Sequence, residues 1–346
     1  MPRVQEGIPV ERAQRPFFVG VDVGGTNTKI GVLDNDGVVL GKTSIATLEE
    51  RGPGDSIARD KAAIDSLLSS LGISPAEVVA VGLGTPGTQD IPRGMILEPP
   101  NMPHWRHYPV RDRLGEACGK PCYYANDANA AAYGEFWVGS GRSYKSMVMF
   151  TLGTGVGGGI ILNGVSVDGE HSFGSELGHL VIDCRDDARL CVWGGGRGEL
   201  EAYASASAVV ARARDALAAG RDSSVHQRLE QGDELTSKVL FEEAEAGDVF
   251  SLDIILDTAR YLGVGITNVV HSVDPGVVVI GGAMTFGGHQ TRVGRRFLDE
   301  VRSEFQRRAF NVVGGTVIDY ASLGGDAGFI GAAGIAHSAW HRERTR

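Results

Sequence analysis

A carboxylate fixed where a strand gives way to a helix is well placed to take a proton. The stretch Ala125 to Glu135, ANDANAAAYGE, puts Asp127 at such a junction, after an apolar run and at the head of an Ala-rich one. The same place suits helix capping, because a carboxylate there can accept from the free amides of the first turn. Residue type and position leave both roles open for Asp127. Two glycine-rich stretches offer a second chemistry. In DVGGTNTK, Asp22 to Lys29, and TLGTGVGG, Thr151 to Gly158, bare backbone amides and the hydroxyls of Thr26 and Thr154 can cradle phosphate oxygens without steric bulk. Either stretch alone reads first as a tight turn, and the presence of two equivalent ones shifts the reading toward phosphate. Asp22, at the end of the first apolar run, can hold a magnesium ion through water, since magnesium keeps much of its hydration shell.

The elements that must position these residues are legible in outline. From Phe17 the chain reads apolar strand, Gly/Thr turn, second strand, Asn-Asp-Gly turn and third strand, and Val148 to Val167 repeats the same order with Asn163-Gly164 as its second turn. Two copies of one unit imply a duplicated architecture, with two similar domains facing one another across a ligand cleft. The repeat also decides what the second glycine loop is not. Gly153 to Gly158 formally matches GxGxxG, but GIILNGVSV follows it as a β-branched strand, so no helix N-terminus is available for a dinucleotide pyrophosphate. No GxxxxGK[ST] stretch occurs either. Between the copies, DSIARDKAAIDSLLSSLGI reads as an amphipathic helix, VVAVGLGTPG as a strand entering a loop, and NAAAYGEFW as a helix start. After them, Leu200 to Ala219 and Leu235 to Ser272 carry helical periodicity, GVVVIGG is a buried strand, and LGGDAGFIGAAG turns into a C-terminal helix that ends in a frayed tail, HRERTR.

Taken in order, DVGGTNTK, GLGTPG, EPPNMPHW, NDANAAAYGE, LGTGVGGG, ELGH, LEAYAS and VVVIGGA resemble the ROK family of sugar kinases and related repressors, over about Phe17 to Gly334. The resemblance implies the actin-like ATPase (ribonuclease H-like) α/β fold. Its expected domains are 17–140, with the first phosphate loop and Asp127, and 141–336, with the second loop, the ELGH segment and the adenine strand, the C-terminal helix packing back on the first. It also implies transfer of the ATP γ-phosphoryl group to a hexose 6-hydroxyl, glucose foremost, with fructose, mannose or an N-acetylhexosamine as alternatives. In that reading Asp127 is the general base, and Asp22 serves Mg2+ through water. Asn101, Asn126, Glu176, His179 and Glu201 match the positions where the family binds sugar. Gly24, Gly25, Thr26 and Asn27 with Gly153, Thr154 and Gly155 take the phosphates, and Gly281 and Gly282 lie where adenine slides against backbone. Glu176 and His179 share a face if their segment is helical, and the flanking glycines make a loop an equal reading. Core packing accounts for Trp105 and Phe173 better than a place in the pocket wall. A homodimer or homotetramer is expected by the same resemblance.

One departure stands out. Many members carry a zinc site, CxCGxxGCxE after the ELGH histidine, which is itself the fourth ligand. Here Cys191-Val192-Trp193-Gly194-Gly195-Gly196-Arg197-Gly198-Glu199 keeps one cysteine of three, and Trp193 or Gly194 and Glu199 stand where thiolates would. His179, Cys184, Cys191 and Glu199 would be an unusual tetrahedral set, so no zinc is expected, and Trp193 is the natural packing anchor of the loop. With 346 residues, 42% of them hydrophobic, the chain can bury the core of two domains, and the net charge of -10 argues against nucleic-acid or anionic-membrane partners. Four cysteines make no disulfide scaffold in a chain this size, and without an apolar leader or membrane-length run a cytoplasmic protein is expected. A repressor would need a helix-turn-helix ahead of the first strand, where only a short segment precedes Phe17. No basic track favours polyphosphate over ATP.

Overall fold

The computed structural model describes residues 8–192 and 195–345. Strand β1 (Phe17–Val23) is aromatic and β-branched on both faces, and all of it but Asp22 is buried. It pairs antiparallel with β2 (Asn27–Leu33), which pairs antiparallel with β3 (Val39–Ala46). Helix α1 (Gly52–Leu71) follows, with Pro53 in its first turn and Gly72 closing it at φ 67, and turns Ile57, Ile64 and Leu68 inward. Next come β4 (Val78–Thr85), the short pair β5 (Gln89–Asp90) and β6 (Met95–Ile96), and α2 (Val110–Cys118). Strand β7 (Cys122–Asn126) and α3 (Asp127–Trp137) complete this stretch. The sheet runs β3-β2-β1-β4-β7, with β4 parallel to both β1 and β7.

Alternation along β1 sends successive side chains into two different cores. Val19 and Val21 join Ile57, Ile64, Leu68 and Trp105 beneath α1 and α2, whereas Phe18 joins Phe329, Ile330 and Ala333 of the last helix, α10 (Ala327–Thr345). That helix lies so close to the sheet that a Cβ at Gly20 or Gly82 would drive into the carbonyl of Phe329 or Ala332. It runs to Thr345 rather than fraying at HRERTR. Tyr123 donates to Glu343, and the Arg344 guanidinium lies 4.3 Å from the Trp340 ring, which holds the last turn down.

The second sheet repeats the order of the first. Strands β8 (Met147–Leu152), β9 (Val156–Leu162) and β10 (Val165–Ser166) form its antiparallel half, and β11 (Val277–Gly281) and β12 (Val317–Tyr320) its parallel half, in the order β10-β9-β8-β11-β12. Helices α4 (Glu201–Ala204), α5 (Ala206–Ala218), α6 (Val225–Glu230), α7 (Ser237–Ala246) and α8 (Val249–Val273) intervene before β11. The two long helical runs expected from periodicity are each broken by a cap. Ser205 accepts from Ala208 N to start α5, and Gly247, at φ 111, with Asp248, accepting from Ser251 N, separates α7 from α8. Helix α9 (Arg292–Arg308) was not anticipated, although Val293, Phe297, Val301 and Phe305 fall at the i, i+4 spacing of one buried stripe.

Packing divides the chain into two units. One takes the chain up to Lys145, then Gly159–Ser175 and the segment from Ala321 onward; the other takes Ser146–Gly158 and Glu176–Tyr320. No helix among the described residues is long and apolar enough to cross a membrane.

Candidate active site

In the first unit the parallel ladder of β1, β4 and β7 brings three chain segments to one end of the sheet. Asn126 ends β7 opposite Thr85 and caps α3, accepting from Ala128 N at 2.9 Å while its amide donates to Gly87 O at 3.3 Å. Asp127 opens α3, and its Oδ1 also lies 2.8 Å from Ala128 N. Two strands away, Asp22 is the last residue but one of β1. A Cβ placed on Gly84, in β4 between them, would stand 3.8 Å from both the Asp127 Cα and Asp22 Oδ1, so the two carboxylate-bearing positions flank one glycine. Burial pushes the Asp22 carboxyl up to about 6 against the pull of Lys29. The first turn of α10 closes on it as well, since a Cβ at Gly328 would collide with this carboxylate. One carboxylate suffices for a magnesium ion that keeps most of its waters and takes its remaining ligands from phosphate, so Asp22 fits the ion.

The first glycine loop joins this group. Gly24 N donates to Asn27 O at 3.0 Å, Thr47 Oγ1 donates to Gly24 O at 2.6 Å, and Gly25, Thr26 and Asn27 are exposed. Asn101 is its neighbour, with its Cβ 4.0 Å from where a Gly25 Cβ would be. Lys29, in β2, bonds Gly325 O ahead of α10. Trp105 is wholly buried in the core below, and Phe173 is exposed, so the core reading holds for the first and not for the second.

In the second unit the loop between β8 and β9 is shaped by Glu201. Gly153 N donates to Gly155 O at 3.0 Å, and Ala206 N donates to Gly153 O at 2.9 Å, which seats the loop on the start of α5. Glu201 is buried. Its Oε2 accepts from Val156 N at 2.8 Å, its Oε1 accepts from the Cys191 thiol at 3.0 Å, and a Cβ at Gly155 would occupy the space of Oε2. Glu176 precedes a 3-10 turn, Leu177–His179, so the segment is neither a full helix nor an open loop. Protein atoms around Glu176 push its carboxyl above the usual range, with Glu201 adding to the shift and His179 opposing it. His179 Nδ1 is 2.9 Å from Glu199 Oε2. Gly281 ends β11 in register with Thr151, and Gly282 follows at φ 90 with no room for a Cβ against Leu152. Backbone packing by itself therefore demands glycine at 282. Trp193 and Gly194 lie outside the described residues.

Two glutamates carry roles that the motif reading left unassigned. Glu135, wholly buried in α3, accepts from Ser140 N at 2.8 Å, Ser322 N at 2.8 Å, Ser322 Oγ at 3.1 Å and Leu323 N at 2.6 Å. A charged residue in so apolar a helix was the available signal. Glu199 holds the His179 ring by a hydrogen bond, where its place in the chain had suggested only a stand-in for a metal-binding thiolate.

The model of the ROK family matches residues 18–339 of this chain. The chain belongs to the ROK family. A glucokinase of Halalkalibacterium halodurans is 34% identical over 316 residues, which cover 91% of this chain and 93% of that one. Among solved structures, a ROK hexokinase from Thermus thermophilus superposes with a TM-score of 0.79 at 32% identity, covering 94% of this chain and 99% of its own. A ROK family glucokinase from Streptomyces griseus, solved in complex with glucose and AMPPNP, gives a TM-score of 0.73 at 32% identity over 93% of this chain and 99% of its own. These neighbours establish the actin-like ATPase fold for this ROK protein, in agreement with its two α/β sheets of matching order.

Proposed function

We propose that this ROK protein transfers the γ-phosphoryl group of ATP to the 6-hydroxyl of a hexose, glucose foremost. The observation that carries the reading is the pair Asp127 and Asp22 flanking Gly84: one carboxylate heads a helix beside a capping asparagine, and the other stands near the end of β1, where burial pushes it up to about 6 against the pull of Lys29. The relatives support the same chemistry, since one is named a glucokinase and another was solved with glucose and an ATP analogue.

In the reaction, the sugar O6 bonds to the γ-phosphorus as the bond to the β,γ-bridging oxygen breaks, ADP leaves, and the O6 proton passes to an oxygen of Asp127. Amides of Gly25, Asn27 and Gly155, with the hydroxyls of Thr26 and Thr154, receive the phosphate oxygens, while Gly24 and Gly153, whose own amides close the two turns, let the phosphates approach without a side chain in the way. Asp22 would hold magnesium through water, and the bound ion supplies charge neutralisation along the phosphate tail. Asn101, Asn126, Glu176, His179 and Glu201 match sugar hydroxyls with directional partners, because an unmatched hydroxyl is costly to desolvate. Gly281 and Gly282 offer backbone to the adenine ring.

A coupled ADP-release assay over a hexose panel tests the proposal, with polyphosphate replacing ATP in a parallel arm. Glucose with ATP should give the highest kcat/KM, and Asp127→Ala should lower kcat on the order of 1,000-fold while glucose binding persists. Near-normal turnover by the variant would remove Asp127 from the mechanism.

A further inference from the structure

The zinc-bearing segment of this family has lost its metal-ligand set here, and the replacing contacts have a definite shape. His179 Nδ1 and Glu199 Oε2 are 2.9 Å apart, and Glu199 Oε1 accepts from Gly196 N at 2.7 Å. A single carboxylate therefore closes the loop through one oxygen and orients the imidazole through the other. The remaining cysteine is spent elsewhere. The Cys191 thiol donates to Glu201 Oε1, which requires its proton, whereas a metal ligand would be a thiolate. Cys184 is exposed, and among the described residues no three His, Cys, Asp or Glu side chains converge on a point that could hold a metal ion. Residues 193 and 194 are Trp and Gly, which carry no ligating atom. Gly195 fits the exchange too, because a Cβ there would collide with Glu199 Oε2. Backbone bridges of Val181 with Glu199 and Leu190 with Arg197 fix the base of the loop.

We propose that this chain has exchanged the structural zinc for a metal-free clamp, and that Glu199 is a positioning residue for His179. The positioning half rests on the reading of His179 as a sugar contact; the metal-free half does not. A zinc ion in such a site would fix the ring and tie the loop. Glu199 performs both tasks, and it leaves Nε2 as the ring's free polar atom on a side chain that is 48% exposed.

Three measurements on the full-length protein decide the proposal. Elemental analysis of protein purified without chelator should find zinc far below one ion per chain, and a strong zinc chelator should leave the melting temperature and the kinase rate unchanged. One zinc per chain, or a chelator-induced fall in melting temperature, overturns it. Glu199→Gln should raise the hexose KM about tenfold, with kcat and the ATP KM within about threefold. Glu199→Asp, which keeps the charge, serves if the amide variant does not fold, and should raise the same KM less. His179→Gln should raise the hexose KM to a similar extent without adding to the Glu199 variant. A lowered melting temperature with unchanged hexose KM would make Glu199 merely structural and end the positioning half. If wild-type protein phosphorylates no hexose, the kinase reading falls, while the metal content and melting curves still decide the clamp.

Discussion

Asp60 sits on the buried face of α1 with no hydrogen-bond partner for Oδ1, and burial, opposed by Arg59, pushes its carboxyl up to about 7. A carboxyl raised from 3.8 holds its proton more tightly folded than unfolded, so its contribution to stability is full below pH 3.8 and is lost as the pH rises through about 7. Asp60→Asn should therefore change the stability to urea least below pH 4, with a gain that grows between pH 4 and 7 to about 4 kcal/mol at pH 8. Asp22 is raised as well, to about 6, with a functional consequence: below that pH the neutral acid is a poor partner for magnesium. The magnesium dependence of kcat/KM should weaken as the pH falls through 6, and Asp22→Asn should show the weakened dependence at every pH. At this scale the sequence was most informative where one residue type served a narrow chemistry. The choice between cap and proton acceptor at Asp127 could not be read from the letters, because Asn and Asp both cap. In the structure Asn126 stands at the N-cap, and Ala128 N donates both to its Oδ1 and to Asp127 Oδ1, so the two side chains share that amide. Asp60 was illegible for a different reason, since nothing in DSIARDKAAIDSLL says which charged residue faces inward.

Helices α3 and α10 cross at glycines. A Cβ at Gly331 would drive into the Ala130 carbonyl, and one at Gly134 would stand 2.6 Å from Ala327 O. Because α3 carries Asp127 at its first position, its seat on α10 fixes where that carboxylate can go. Gly331→Ala should lower the stability to urea by about 3 kcal/mol and lower kcat more than the glucose KM changes, as α3 shifts off its seat. The strands were legible because β-branched runs bounded by Gly and Asn-Gly turns leave little alternative. Helix ends were less so. The break at Ser205 and the cap at Asp248 look like ordinary polar positions until a backbone amide is seen to need them. Helix α9 escaped because its six arginines mask the buried stripe, which emerges only when the residues are laid on a helix.

Each sheet places its first strand between an antiparallel pair and two parallel strands, so the doubling seen in the glycine loops extends to the whole architecture. The order of motifs made that doubling readable. What it did not reveal is that Gly159–Ser175 also joins the unit holding Asp127, which is built from three separated stretches. A fragment ending at Lys145 lacks α10 and the buried face that covers Phe18, Leu33 and Ala80. Expressed alone, it should show no cooperative transition by circular dichroism, and co-expression with the remainder should be needed for soluble material.

That division also orders events on the ribosome. The unit closed by β12 has all its residues once Tyr320 has emerged, whereas the one begun first waits for the last helix to be translated. Until then β1 and β4 travel with one oily side uncovered, so the nascent chain is most exposed to aggregation, and most in need of a chaperone, in the half whose synthesis started earliest.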